Sequence, residues 1–293
     1  MKRVIIFIVL LLNCTAFCSC SKDSNNIDVV ATTIPVYEFT SFLCEGTNIN
    51  VTCLVTESVS CLHDYSLQVK QMRAIEQAEC IVISGAGLED FMGDILPEDN
   101  IIDSSTGIEP HCTANEHDHS NNHSEHKHDV DPHIWLSPKN GKQMAHNIYL
   151  GLVDKYPEFT QIFTDNATAL QAKFDSLIQY ADDNLSNLTT REIITFHDGF
   201  SYMASAFNIS ILHAIEEEPG SETSAATLIE LTNIITQHKL DAIFVEKNGS
   251  TASASIIAAE TGVDILILDM ALSGNSYFDA MYYNIDVLKE ALI

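Results

Sequence analysis

The chain has 293 residues, 41 of them acidic and 14 basic, for a formal net charge of −27 at pH 7. Such a field repels phosphate backbones, which argues against a nucleic-acid partner, and draws cations toward any concave site. The length is ample for a well-buried core without covalent staples, and the eight cysteines include no CxxC pair that would mark a redox or zinc-ribbon motif.

Met1-Lys2-Arg3 precedes an apolar run, VIIFIVLLLNCTAF, and then Cys18-Ser19-Cys20. The run is shorter than the roughly twenty residues a membrane span needs, and the basic start with a small residue before the cut fits an export signal. Cleavage before Cys20, with that cysteine lipidated, resembles a bacterial lipoprotein signal, although Phe17 stands where such signals carry Leu. The alternative is a retained N-terminal anchor. Removing residues 1–19 leaves 12 basic against 41 acidic residues, a net charge of −29. Residues 1–19 are thus read as signal peptide and 20–26 as a lipidated tether, placing the body outside the cytoplasmic membrane. Of the later cysteines, Cys44, Cys53, Cys61, Cys80 and Cys112 are odd in number and read as small apolar fillers.

Between residues 27 and 107 short β-rich runs at 28–33, 50–55, 80–85 and 100–105 alternate with helix-like segments. One such helix starts on Pro35 and stops at Gly46; another starts with Ser66 as N-cap. This order predicts a parallel sheet with helices on its faces. A long helical region follows from Ser137-Pro138. Met144, Ile148, Leu152 and Val153 mark one apolar face, and after Pro157 a stripe runs through Phe163, Leu170, Phe174 and Leu177 to Leu185. A helix over 157–185 would span roughly 44 Å at 1.5 Å per residue. From residue 192 the alternation returns, with strands at 192–197, 209–214, 242–247 and 264–269. The prediction is an α/β fold of two parallel-sheet (β/α)4 lobes, 27–136 and 191–293, joined by a helical connection over 137–190. A ligand cleft would lie between the lobes, at the carboxyl ends of the strands.

Seven of the twelve histidines fall between His111 and His133. Short His-rich tracts are read first as metal binding, the alternative being a solvated loop without a task. Elsewhere metal-capable side chains stand at strand ends: His197, Glu246 and Asp269 in the second lobe, with His63 and His133 on loops of the first.

These residues carry a family resemblance. His63-Asp64-Tyr65 and the later IVISGAGLEDFM resemble the HDY and NGAGLE signature of the zinc and manganese solute-binding lipoproteins of ABC importers. Asp131-Pro132-His133-Ile134-Trp135-Leu136-Ser137-Pro138 is similar to their DPHxWLDP motif, and Phe196-His197-Asp198-Gly199-Phe200-Ser201-Tyr202 to HDAFGYF. The closing segment, with Glu260-Thr261-Gly262-Val263, Leu268-Asp269 and Tyr282-Tyr283-Asn284, also matches, so that the motifs cover nearly all of 27–293 in order. Departures occur after Tyr65, where the family's Pro-rich stretch is absent, and at 216–225, which carries extra residues.

The resemblance implies one metal at the lobe interface, held by His63, His133, His197 and Asp269. Three imidazoles and a carboxylate suit tetrahedral Zn²⁺ rather than Mn²⁺, and manganese-type members carry Glu where His197 stands. Glu246 is then a supporting residue and Cys61 a packing one. His111, His117, His119, His123, His126 and His128 form an accessory tract of lower affinity. The implied function is capture of extracytoplasmic Zn²⁺ and delivery to an ABC permease and ATPase, by a monomer anchored through its lipid and with no enzymatic step. The rivals are manganese or iron uptake or adhesion on the same fold and, from another class, a secreted zinc hydrolase. The last would need an open metal position and a general base, and no HExxH occurs.

Overall fold

The computed structural model describes residues 28–57, 65–97, 99–111, 130–215, 223–274 and 276–293. The signal segment and Cys20, the loop carrying Cys61 and His63, and the tract from Cys112 to Asp129 lie outside the described residues. In the first lobe β1 (Val29–Ala31), α1 (Ile34–Leu43), β2 (Val51–Cys53), α2 (Val69–Gln77), β3 (Cys80–Ile83) and β4 (Ile101–Asp103) follow in that order, with a 3-10 segment at Leu88–Ile95. The connection holds a 3-10 turn at Ile134–Leu136, α3 (Pro138–Lys155) and α4 (Thr160–Leu185). In the second lobe come β5 (Glu192–Thr195), α5 (Ser201–Ala206), β6 (Ser210–Ala214), α6 (Ala225–His238), β7 (Ala242–Glu246), α7 (Ala252–Thr261), β8 (Asp264–Leu268) and α8 (Tyr277–Leu292).

Each lobe holds a four-stranded, all-parallel sheet, ordered β2-β1-β3-β4 and β6-β5-β7-β8. All eight expected strands form. In both sheets the chain reverses its direction of winding between the first and third strands, which opens a crevice at the carboxyl ends of β1 and β3 and again of β5 and β7. Among the described residues no helix is long and apolar enough to cross a membrane.

Local sequence sets the helix boundaries. Ser137 caps α3 by accepting from the Asn140 N–H, with Pro138 in the first turn, and Ser224 caps α6 through the Thr227 N–H. One expected start is wrong: α2 begins at Val69, not after Ser66. The Gln71 side chain accepts from the Gln68 N–H at 2.8 Å while its amide donates to the Leu54 carbonyl and the Tyr65 hydroxyl, so a buried glutamine sets the start. The long helix begins at Thr160, after a separate 3-10 turn over Pro157–Phe159. Its buried positions Phe163, Leu170, Phe174, Leu177, Ala181 and Leu185 repeat at helical spacing and pack against α3 and α8.

The two sheets share one apolar core. A single cluster joins Val29, Ala31 and Val82 of the first sheet to Ile193, Phe244 and Leu268 of the second, through α1, α3, α4 and α8. Polar bonds cross the same layer. The Trp135 indole N–H donates to the Met270 carbonyl at 2.8 Å, and the Tyr277 hydroxyl donates to the Trp135 carbonyl at 2.8 Å. Glu38 of α1 accepts from the Tyr277 N–H and the Ser276 hydroxyl, capping α8 from the opposite lobe. Cys44 and Cys80 are buried free thiols, and burial pushes Cys44 up to about 12 and Cys80 up to about 11, as expected of inert fillers.

At the first crevice the β3 chain turns sharply through Gly85, whose φ of +82° and close approach to Asp103 and Ser105 leave no room for a Cβ. Glu89 straps this turn. Its carboxylate accepts from Thr32 Oγ1 (2.6 Å), the Ser84 N–H (2.7 Å) and the Gly85 N–H (3.0 Å). Burial nevertheless outweighs these donors and pushes Glu89 up from 4.5 to about 7.

Two outcomes are expected. Tyr277→Phe keeps the ring but orphans the buried Trp135 carbonyl, costing about 1–2 kcal/mol in a denaturant melt; an unchanged midpoint would discount that bond. For Glu89 the folded state binds more protons than the unfolded one between pH 4.5 and 7, so its contribution to stability falls as pH rises through that window, by up to about 3 kcal/mol. Glu89→Gln leaves a donor unmatched and is less stable at pH 4.5, but its deficit against wild type should narrow toward pH 7.5. Parallel melting curves across that range would refute the assignment.

Candidate metal centre

His133 sits on the loop that leads into α3 and is 2 % exposed. Asp131, two residues earlier and 1 % exposed, fixes its ring. Asp131 Oδ1 accepts from the His133 backbone N–H at 2.9 Å and from its Nδ1 at 2.8 Å. The ring proton is therefore on Nδ1, which leaves Nε2 as a lone-pair donor. Burial by itself would raise the Asp131 carboxyl. The hydrogen bonds from the His133 ring and backbone and from the Ser201 hydroxyl outweigh it and hold Asp131 below the usual carboxylate range. The other oxygen, Oδ2, accepts from that Ser201 hydroxyl.

His197 follows β5, at the crevice between β5 and β7. Its Nε2 faces His133 Nε2 at 3.5 Å, and the two rings meet edge to face. That separation is long for a hydrogen bond. It matches two nitrogen ligands on one zinc ion: bonds of about 2.0–2.1 Å at the tetrahedral angle put their nitrogens about 3.3 Å apart. On the far side of the ring, His197 Nδ1 lies 3.6 Å from Glu246 Oε2, at the end of β7. Among the described residues Glu246 Oε2 is buried without a hydrogen-bond partner, and burial pushes Glu246 up to about 7.

Asp269 directly follows β8 and is 2 % exposed. Its Oδ2 accepts from Lys247 Nζ at 2.7 Å and its Oδ1 from the Ala271 N–H at 2.9 Å. Asn284 of α8 clamps its backbone through both the N–H and the carbonyl. His63 lies outside the described residues. The structure thus brings His133 and His197 together and holds Asp269 at the end of β8, two strands from β5. Among the described residues no three His, Cys, Asp or Glu side chains close on one point.

Of the accessory tract His117, His119, His123, His126 and His128 lie outside the described residues, whereas His111 is packed. Its ring stacks on Tyr202 with centroids 4.0 Å apart and planes 8° apart, and its Nδ1 is 3.1 Å from Ser201 Oγ. Sequence reasoning missed the roles of Asp131, Ser201 and Gly199. A Cβ on Gly199 would stand 2.6 Å from His197 Nε2 and Cδ2, so the ring occupies space that only glycine leaves open. The signal was a departure from motif: this chain reads HDGFSYM where the resemblance calls for HDAFGYF.

Comparison with known proteins gives a consistent result. The family model for zinc-uptake complex component A, periplasmic (ZnuA), matches residues 29–291. The zinc-binding lipoprotein AdcA of Streptococcus pneumoniae strain R6 is 28% identical over 312 aligned positions, covering 99% of this chain and 61% of that protein. The chain thus spans about three fifths of the length of that relative. A crystal structure of ZnuA superposes with a TM-score of 0.78 at 26% identity, covering 92% of this chain and all of the other. The Zn(II)-bound ZnuA-like domain of Streptococcus pneumoniae AdcA gives a TM-score of 0.75 at 26% identity, over 91% of this chain and 99% of that one. With a family match that runs almost end to end, the chain belongs to the periplasmic zinc-uptake complex component A family.

Proposed function

We propose that this protein is the extracytoplasmic zinc-binding component of a high-affinity ABC importer, and that it captures Zn²⁺ and delivers it to a membrane permease driven by an ATPase. The observation that carries the reading is the His133–His197 pair, with Nε2 atoms 3.5 Å apart and one ring already committed to the metal-competent tautomer by Asp131. His63, His133, His197 and Asp269 are the proposed ligands. Glu246 Oε2 would accept a hydrogen bond from His197 Nδ1–H when Nε2 binds metal, after a shift of a few tenths of an ångström from 3.6 Å. Zinc binding by the AdcA relative supports the choice of cargo. Imidazole-rich donor sets favour zinc over manganese, which prefers oxygen ligands. Four protein ligands leave no open position for hydrolysis, so the protein is no enzyme. Export and a lipid on Cys20 would keep it beside its permease, and the accessory histidines would collect zinc at lower affinity.

Metal content and chelator-competition titration test this reading. His133→Ala with His197→Ala should lose one tight zinc per chain and weaken binding by more than the roughly 10–100-fold typical of outer-shell partners, while weaker sites remain. Retention of that tight zinc would defeat the ligand set. Deleting residues 112–129 should do the opposite, removing weak sites and sparing the tight one; loss of the tight site would overturn the division of labour. Competition with Mn²⁺ should displace little zinc.

A further inference from the structure

His111 is held by three handles. Its ring lies flat on Tyr202, its N–H donates to the Tyr202 hydroxyl at 2.8 Å, and its carbonyl accepts from the Asp131 N–H at 2.9 Å. Its Nδ1 meets Ser201 Oγ at 3.1 Å, and Ser201 in turn meets Asp131 Oδ2. The path from His111 to His133 therefore runs through two side chains, Asp131 from the end of the first lobe and Ser201 from the second.

The direction of each bond follows from a count of protons. An ionised carboxylate only accepts, so the single Ser201 hydroxyl proton points at Asp131. The Ser201 oxygen must then accept, and His111 Nδ1 must be the donor. With its acceptor side filled by His111, the serine rotor cannot turn its proton elsewhere. The carboxylate plane is thereby fixed, which keeps Oδ1 in line with both the N–H and Nδ1 of His133. Chained bonds of this kind polarise one another and strengthen.

We propose that His111 is a positioning residue for metal capture: acting through Ser201 and Asp131, it holds the His133 imidazole in the Nδ1–H tautomer with Nε2 presented to the metal. The inference rests on His133 being a zinc ligand, and it separates His111 from the accessory histidines by giving it a role in the tight site.

The test uses the mature full chain. His111→Phe keeps a flat ring on Tyr202 but has no donor, and His111→Asn restores a donor without the ring. Zinc affinity is read by chelator competition, and the His133 tautomer in the metal-free protein by long-range ¹H–¹⁵N correlation. His111→Phe should weaken the tight zinc about tenfold, at the low end for outer-shell partners, and should let the His133 Nε2–H tautomer appear. His111→Asn should return both readings toward wild type. Ser201→Ala should match His111→Phe, and combining the two should add nothing, because both cut the same relay. Wild-type affinity and tautomer in His111→Phe, additivity of the pair, or no rescue by Asn would each overturn the proposal, the first by showing that the stack alone matters. His133→Ala is the control for the ligand assignment: wild-type zinc affinity in that variant would sink the assignment itself rather than the relay.

Discussion

Trp135 is the pivot on which both lobes rest. It is fully buried in the layer between the two sheets, donates to Met270 beyond the end of β8 and receives from Tyr277 at the start of α8. Around it Phe39 of the first lobe meets Tyr277 and Phe174 edge to face, at centroid distances of 4.9 and 5.3 Å. An apolar layer of this density is stiff, because close-packed side chains move only between discrete arrangements. The two ends of this contact also border the candidate metal centre: His133 is two residues before Trp135, and Asp269 one before Met270. The contact that joins the lobes thus fixes the spacing of the residues proposed to share a metal.

That coupling bears on how a metal would be held. Side chains on strand-end loops gain precision when the loops leave rigid elements, and here β5 and β7 are buried against helices on both faces, with β8 paired along β7. His197 is confined by Gly199 behind it and His133 in front. Asp269 is confined by Asn284, which holds its backbone at both polar groups. Little conformational entropy remains to be lost when such groups coordinate an ion, in contrast to donors that must first be ordered.

Much of the fold was legible in the sequence because its signals are local. Eight β-rich runs separated by helix-period segments became eight parallel strands, and the stripe from Phe163 to Leu185 became the buried face of α4. Ser66 failed as a helix cap because Gln71 makes three bonds there, two of them to groups outside α2, that no local pattern reveals. The metal centre divides in the same way. His133 and His197 were readable as residues at loop and strand ends, but the network around them was not. Asp131 and Ser201 are 70 positions apart, and His111 and Ser201 are 90 apart. Pairings at that distance depend on how two sheets are stacked, which periodicity does not encode.

The buried carboxylates of the two crevices show what the strongly negative composition achieves locally. Glu89 and Glu246 are both pushed up to about 7 by burial, Glu89 in spite of three donors and Glu246 with no donor on Oε2 among the described residues. Asp131, buried as deeply, stays below the ordinary range because an imidazole and a hydroxyl point at it. Glu89 and Asp131 each accept from three donors, so what separates them is the imidazole beside Asp131, not the number of donors or the net charge of the chain. A fixed anion next to His133 attracts a cation, but its stronger effect is directional. It occupies Nδ1, so the only lone pair the imidazole can offer is the one that faces His197.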